Sequence, residues 1–282
     1  MTVAPATDRA HLPMPLRGGS TLRRIGAMVR RHFYLLTGSL PRLIEMVYWP
    51  TLQLLLWGFI TLHFLDSSDW LAGAAGVLIG AVLLWDILVR SQLGIAYSFL
   101  EEMWSRNLGN LFVAPLRPWE MVGALMTIAM MRTLIGMSIP VLIAIPLFAF
   151  SLFDLGLPLL VFFTGLVIFG WSFGLLSIAA LLRFGLGAES LVWAMMFGIM
   201  PFCAVYYPIA AMPGWVQWAA WIMPPAYIFE GMRAVMFDGL FRWDLLGGAM
   251  ALNLLYLAIG IVAFSASFKS ARRSGRLLQM GE

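Results

Sequence analysis

The chain has 282 residues, 61% of them hydrophobic and 11% charged, with a formal net charge of +4 and a single cysteine. So little charge cannot cover a soluble surface, and one thiol, Cys203, can form neither an intrachain disulfide nor a thiolate metal cluster. His11, His32 and His63 are too scattered to supply a metal site.

What remains is an all-α integral membrane protein, because a spanning helix of about 20 apolar residues satisfies every backbone amide within itself. Residues 1–20 read as a flexible tail, and Pro5, Pro13 and Pro15 interrupt any signal-peptide core there. In 21–41, Leu22, Ile25, Val29, Phe33, Leu36 and Leu40 recur in steps of three and four, while Arg23, Arg24, Arg30 and Arg31 fall on the opposite half. That pattern predicts an amphipathic helix lying in the membrane interface, its arginines toward anionic lipid headgroups. A transmembrane domain over 42–270 then carries six apolar stretches, at 43–65, 71–89, 121–150, 157–182, 191–207 and 245–268, before a basic tail at 271–282.

Between the second and third stretches the chain reads Glu101, Glu102, Met103, Trp104, Ser105, Arg106, Asn107, Leu108, Gly109, Asn110, Leu111, Phe112, Val113, Ala114, Pro115. Met103, Trp104, Leu108, Leu111 and Phe112 form an apolar ridge at helical spacing, which predicts a short amphipathic helix along the membrane.

Four charges sit in or near spans. Arg132 either snorkels to the interface or faces a cleft between subunits and contacts an anionic group, and both readings stand. Asp86 and Arg90 are one turn apart and spaced to pair. Glu45 is expected to pair with Arg42 or the amphipathic helix.

Residues 208–238 are apolar enough to suggest a seventh crossing, but Pro213, Pro224 and Pro225 break them into short pieces. They read as a re-entrant or interfacial helical hairpin on the external face, between spans 5 and 6. Trp215, Trp218 and Trp221 recur every three residues, as an interfacial belt or as substrate contacts, and Glu230 and Arg233 are spaced for an i, i+3 pair.

With the amino end inside, fifteen of the eighteen Lys and Arg fall in cytoplasmic segments. The positive balance therefore reads as topology, with both termini cytoplasmic, and not as nucleic-acid binding.

The order of amphipathic helix, two spans, a Glu-rich loop ending in Leu111 to Pro115, and a late hairpin resembles the membrane subunit of type-2 ATP-binding-cassette exporters. The resemblance covers nearly the whole chain. It implies a permease in the bacterial inner (plasma) membrane, working as a homodimer or with a paralogous permease. It also implies a separate ATPase subunit, coupled through Glu101, Glu102, Trp104, Arg106, Leu111, Phe112 and Pro115. The hairpin residues Pro213, Trp215, Trp218, Trp221, Pro224, Glu230 and Arg233 match the family's external element. One departure is at Gly109, where the family often has an acid; the resemblance then moves the partner-side contact to Glu101 or Glu102.

A phosphate-cradling loop needs Gly-x-x-x-x-Gly-Lys-Ser/Thr, and the chain's one lysine, Lys269, follows Phe268. ATP and Mg are thus expected on the partner. The alternatives are an ion-gradient-driven secondary transporter, which usually shows internal repeats, and an intramembrane enzyme, which needs a nucleophile with a base or metal cluster. The substrate stays open among drugs, lipids, lipid-linked glycans and polysaccharides.

Overall fold

The computed structural model describes residues 20–65, 69–113 and 116–274, and among them every regular element is helical. Most of both tails, and Pro115, lie outside the described residues. The ten α-helices are α1 (Thr21–Thr37), α2 (Leu40–Leu65), α3 (Asp69–Trp104), α4 (Leu108–Val113), α5 (Pro118–Phe148), α6 (Leu157–Phe184), α7 (Glu189–Ile199), α8 (Gly214–Trp221), α9 (Pro224–Asp238) and α10 (Trp243–Ser274).

Five of these, α2, α3, α5, α6 and α10, are long and apolar enough to cross a membrane. The expected crossing at 191–207 is not one continuous helix. Helix α7 has 11 residues, about 17 Å at 1.5 Å per residue, against a hydrocarbon core of ~30 Å. It gives way to a single 3-10 turn at Met200–Phe202, where Pro201 lacks an amide proton and its ring crowds the preceding turn. At the other extreme, α3 runs on past residue 89 to Trp104, for 36 residues in all. Its polar continuation stays helical because Ser91, Gln92 and Ser98 are fully buried and bonded, Ser91 Oγ and Ser98 Oγ each donating to a carbonyl one turn back. The basic stretch from residue 271 also begins as helix, in the last turn of α10.

Helix α6 sits at the centre, between α3 and α10, and α5 and α2 pack on the far side of α3. Lipid is as apolar as leucine, so such helices are held by close backbone approach and by polar bonds. Gly170 and Gly174 supply the first: a Cβ on Gly170 would stand 2.8 Å from the Leu88 carbonyl oxygen, and one on Gly174 3.0 Å from that of Gln92. Gln92 supplies the second, its amide donating to Ser177 Oγ at 3.0 Å and to the Val192 carbonyl at 3.2 Å, which joins α3 to α6 and α7. Asn253 of α10 likewise donates to the Gly165 carbonyl at 3.0 Å.

Helix α1 has three faces where the sequence pattern suggested two. Met28, His32 and Leu36 are buried against the bundle, Leu22 and Phe33 are exposed apolar residues, and Arg23 and Arg30 are exposed on a third side. The chain breaks at Gly38 and Ser39, two residues before Pro41, since a proline in a helix's first turn forfeits no hydrogen bond.

Candidate functional site

Three carboxylates organise the end of the bundle where α1, the last turn of α3 and the first turn of α5 meet. Glu120 is completely buried at the start of α5. It accepts from Arg24 Nε at 3.1 and 2.9 Å and from the Arg117 backbone amide at 3.0 Å, so one side chain both caps α5 and fastens α1. Glu102 is 1% exposed and accepts from Arg31 Nη1 and, at 2.7 Å, from Asn107 Nδ2. His32 Nε2 lies 3.3 Å from the same carboxylate, and His32 Nδ1 lies 3.1 Å from the Met28 carbonyl. Glu101 turns the other way, accepting from Arg132 Nη2 at 2.8 Å on each oxygen, with Arg42 Nη1 at 3.9 Å. Adjacent acids thus tie α3 to α1 on one flank and to α2 and α5 on the other.

The connecting loop hangs from this knot. Helix α3 ends at Trp104, so Glu101 to Trp104 belong to α3 and not to a separate surface helix. Arg106 takes a left-handed conformation (φ 53°), and α4 follows. Met103 and Leu108, on either side of the break, are buried at 2% and 3% exposure and join one apolar cluster, with Leu111 packed at its edge. Trp104 is about half exposed and its Nε1 donates to Glu189 Oε2 at 3.4 Å. The side chain of Phe112 and the whole of Pro115 lie outside the described residues. The acids expected to face a partner are turned inward, because buried carboxylates require charged or hydrogen-bonding partners and the arginines of α1, α2 and α5 provide them.

Asp86 and Arg90 do not close to a direct ion pair, although each charge still acts on the other. Arg90 instead enters the gap left by Gly136, where a Cβ would meet Arg90 Cδ at 3.1 Å and the Met46 carbonyl oxygen at 3.0 Å. Asp86 Oδ2 and Arg90 Nε, both buried, have no hydrogen-bond partner among the described residues. Glu45 is exposed, and Arg42, its expected partner, leans toward Glu101 and the Leu35 carbonyl.

At the opposite end, the Glu230 and Arg233 pair forms as the spacing predicts, Arg233 Nη1 lying 3.4 Å from Glu230 Oε1. Its setting was not legible in the spacing. Arg233 Nη2 donates to the carbonyls of Ala204, Val205 at 2.9 Å and Tyr207 at 3.0 Å, and Glu230 Oε1 accepts from the Ile209 amide at 2.6 Å. The pair therefore satisfies the unwound backbone that follows α7, where Ala204 is left-handed (φ 55°). Pro213 precedes α8 and buried Pro224 opens α9, as broken short helices require. Helix α9 is buried against α6 and α10, whereas α8 buries only Ala220. Trp215 and Trp218 are 73% and 78% exposed, and Trp221 caps the turn, its carbonyl accepting from Tyr227 Oη at 2.9 Å.

In the sequence Arg24 and Arg31 read only as arginines facing lipid headgroups, His32 as a scattered histidine and Asn107 as part of the loop, while Glu120 was not singled out. Only Glu120 carried a local signal, an acid two residues after the proline that opens α5.

The model of the ABC-2 type transporter family matches residues 23–237, more than half of the chain. The chain belongs to the ABC-2 type transporter family. No curated protein matches it by sequence. The match runs from α1 through nearly all of α9, so it takes in both the carboxylate knot and the Glu230–Arg233 clamp. Like the membrane components of ABC-2 transporters generally, the chain is a multi-pass transport permease and not itself a catalyst. Permeases of this family normally work with an ATPase subunit.

Proposed function

We propose that this ABC-2 family member is the permease half of an ATP-driven exporter. Two copies, or this chain and a paralogue, enclose the pathway, and a separate ATPase that binds ATP and Mg docks on the loop between α3 and α5. The broken segment from α7 to residue 207 is the fifth of six crossings and α10 the sixth, the α8–α9 hairpin lies on the external face, and both termini face the cytoplasm of the inner membrane.

The observation that carries this reading is the knot of Glu101, Glu102 and Glu120. A loose loop would absorb a push from a motor subunit. Here α4 hangs from elements bound together by ion pairs on carboxylates that are wholly or largely buried, so displacing α4 displaces the ends of α1, α3 and α5 with it. Leu111 and Phe112 are the docking surface, Trp104 and Arg106 flank it, and Glu101 and Glu102 transmit from it. An ion-gradient mechanism is not favoured by the family match.

The test is to change Leu111 and Phe112 to Asp and reconstitute the variant with its ATPase. The protein should reach the membrane while export and permease-dependent ATP turnover are lost. Full export by this variant would remove the docking role.

A further inference from the structure

We propose that the third face of α1 is a headgroup site for one anionic phospholipid. The inference needs only that the chain lies in a membrane, and stands apart from the export reading.

A shallow hollow, open to the outside over most of its extent, is lined by Ala27, Arg30, Arg31, Tyr34 and Leu35, all on one side of α1. Ala27 is its floor: Arg30, Arg31 and Tyr34 follow it by three, four and seven residues and rise around its methyl group on one side of the helix. The charge of this hollow is not neutralised internally. Arg31 gives one nitrogen to Glu102, but among the described residues no carboxylate lies within ion-pair reach of Arg30 or of Arg23, one turn before Ala27. This contrasts with Arg24, Arg42 and Arg132, each of which meets an acid. A guanidinium fork matches a phosphate in geometry as well as charge.

The source of that phosphate follows from the neighbouring surfaces. Leu22 (80% exposed) and Phe33 (40% exposed) form the apolar face beside the arginines, and Phe33 is in ring contact with Tyr34, with centroids 6.3 Å apart. The hollow therefore opens next to a surface suited to acyl chains, with an aromatic pair at the boundary between them. A soluble anion would use the arginines and leave that surface idle, whereas a phospholipid uses both.

The experiment uses the full-length protein in detergent micelles containing equal amounts of phosphatidylglycerol and phosphatidylcholine, with bound lipid read by native mass spectrometry. The unmodified chain should retain phosphatidylglycerol in preference to phosphatidylcholine. Arg30→Gln should weaken retention about fivefold, the effect of one basic residue at an anionic surface. Ala27→Glu, which places a carboxylate on the exposed floor without touching the core, should abolish it. Arg272→Gln at the end of α10 should behave as the unmodified chain. Equal retention of the two lipids, or undiminished phosphatidylglycerol on the Arg30 and Ala27 variants, overturns the proposal.

Discussion

Arg132 holds both carboxylate oxygens of Glu101 through a single nitrogen, at 2.8 Å each, across 31 positions of sequence. The arginine that stood out in sequence as a costly charge in a span is thus spent on the bundle's own architecture. Only 11% of the Arg132 side chain and 14% of the Glu101 side chain is exposed.

Removing one partner strands the other's charge in a poorly hydrated place. Glu101→Gln and Arg132→Met should each lower the thermal stability of the purified chain, and the double change should cost less than their sum, with a coupling of about 0.5–3 kcal/mol. A double-mutant cycle by thermal unfolding in detergent measures it, and strictly additive effects would show that the contact contributes nothing.

Arg233 carries a different burden. Replacing it by Met would leave the carbonyls of Ala204, Val205 and Tyr207 without a side-chain donor. Each buried unsatisfied group costs about 1–3 kcal/mol. Amide exchange in the unwound segment after α7 should rise sharply while α6 and α10 stay protected. Lysine should rescue only in part, because one ammonium cannot serve the three carbonyls and the Glu230 carboxylate at once, as the two guanidinium nitrogens do. Unaltered exchange in Arg233→Met would mean that the segment is held by packing alone.

The contact between α3 and α6 tolerates no added methyl group. Gly170→Ala brings a Cβ to 2.7 Å from Ser91 Cβ and 2.8 Å from the Leu88 carbonyl oxygen, so the helices must part. A loss of about 1–3 kcal/mol is expected from such overpacking. Gly198→Ala in α7 meets nothing within 4 Å and should be neutral or mildly stabilising. Equal melting temperatures for the two variants would contradict the close approach.

Cys203 reports on the same region without mutation. Its side chain is fully buried, so a maleimide should leave the native chain unlabelled and modify it completely in denaturant. Rapid labelling of native protein would show that the backbone beside Arg233 opens readily.

Length and periodicity made most of the long helices legible: α1, α2, α5, α6 and α10 begin and end close to the apolar stretches that announce them. The continuation of α3 was not legible, since Ser91, Gln92, Ser98, Glu101 and Glu102 look like a water-facing loop until α1, α5 and α6 surround them. The break after α7 was legible in principle: the proline argument that divides the hairpin at Pro213 and Pro224 applies equally to Pro201, but apolar composition masked it. At the candidate site, the acids themselves were visible in the sequence. Their partners were not, because Arg31 and Arg132 lie on other helices and nothing local distinguishes an arginine that meets an acid from one that meets lipid or water.

The knot also bears on how the protein is made. Glu120 is 96 positions after the Arg24 that it holds, an interval of roughly 5–20 s at ordinary rates of synthesis. Until Glu102 arrives to meet Arg31, 71 positions on, the amino-terminal segment has no acid of this knot to grip, and its greasy flank at Leu22 and Phe33 helps to keep it on the bilayer. Weakening that flank would delay biogenesis while leaving the finished molecule nearly as stable as before.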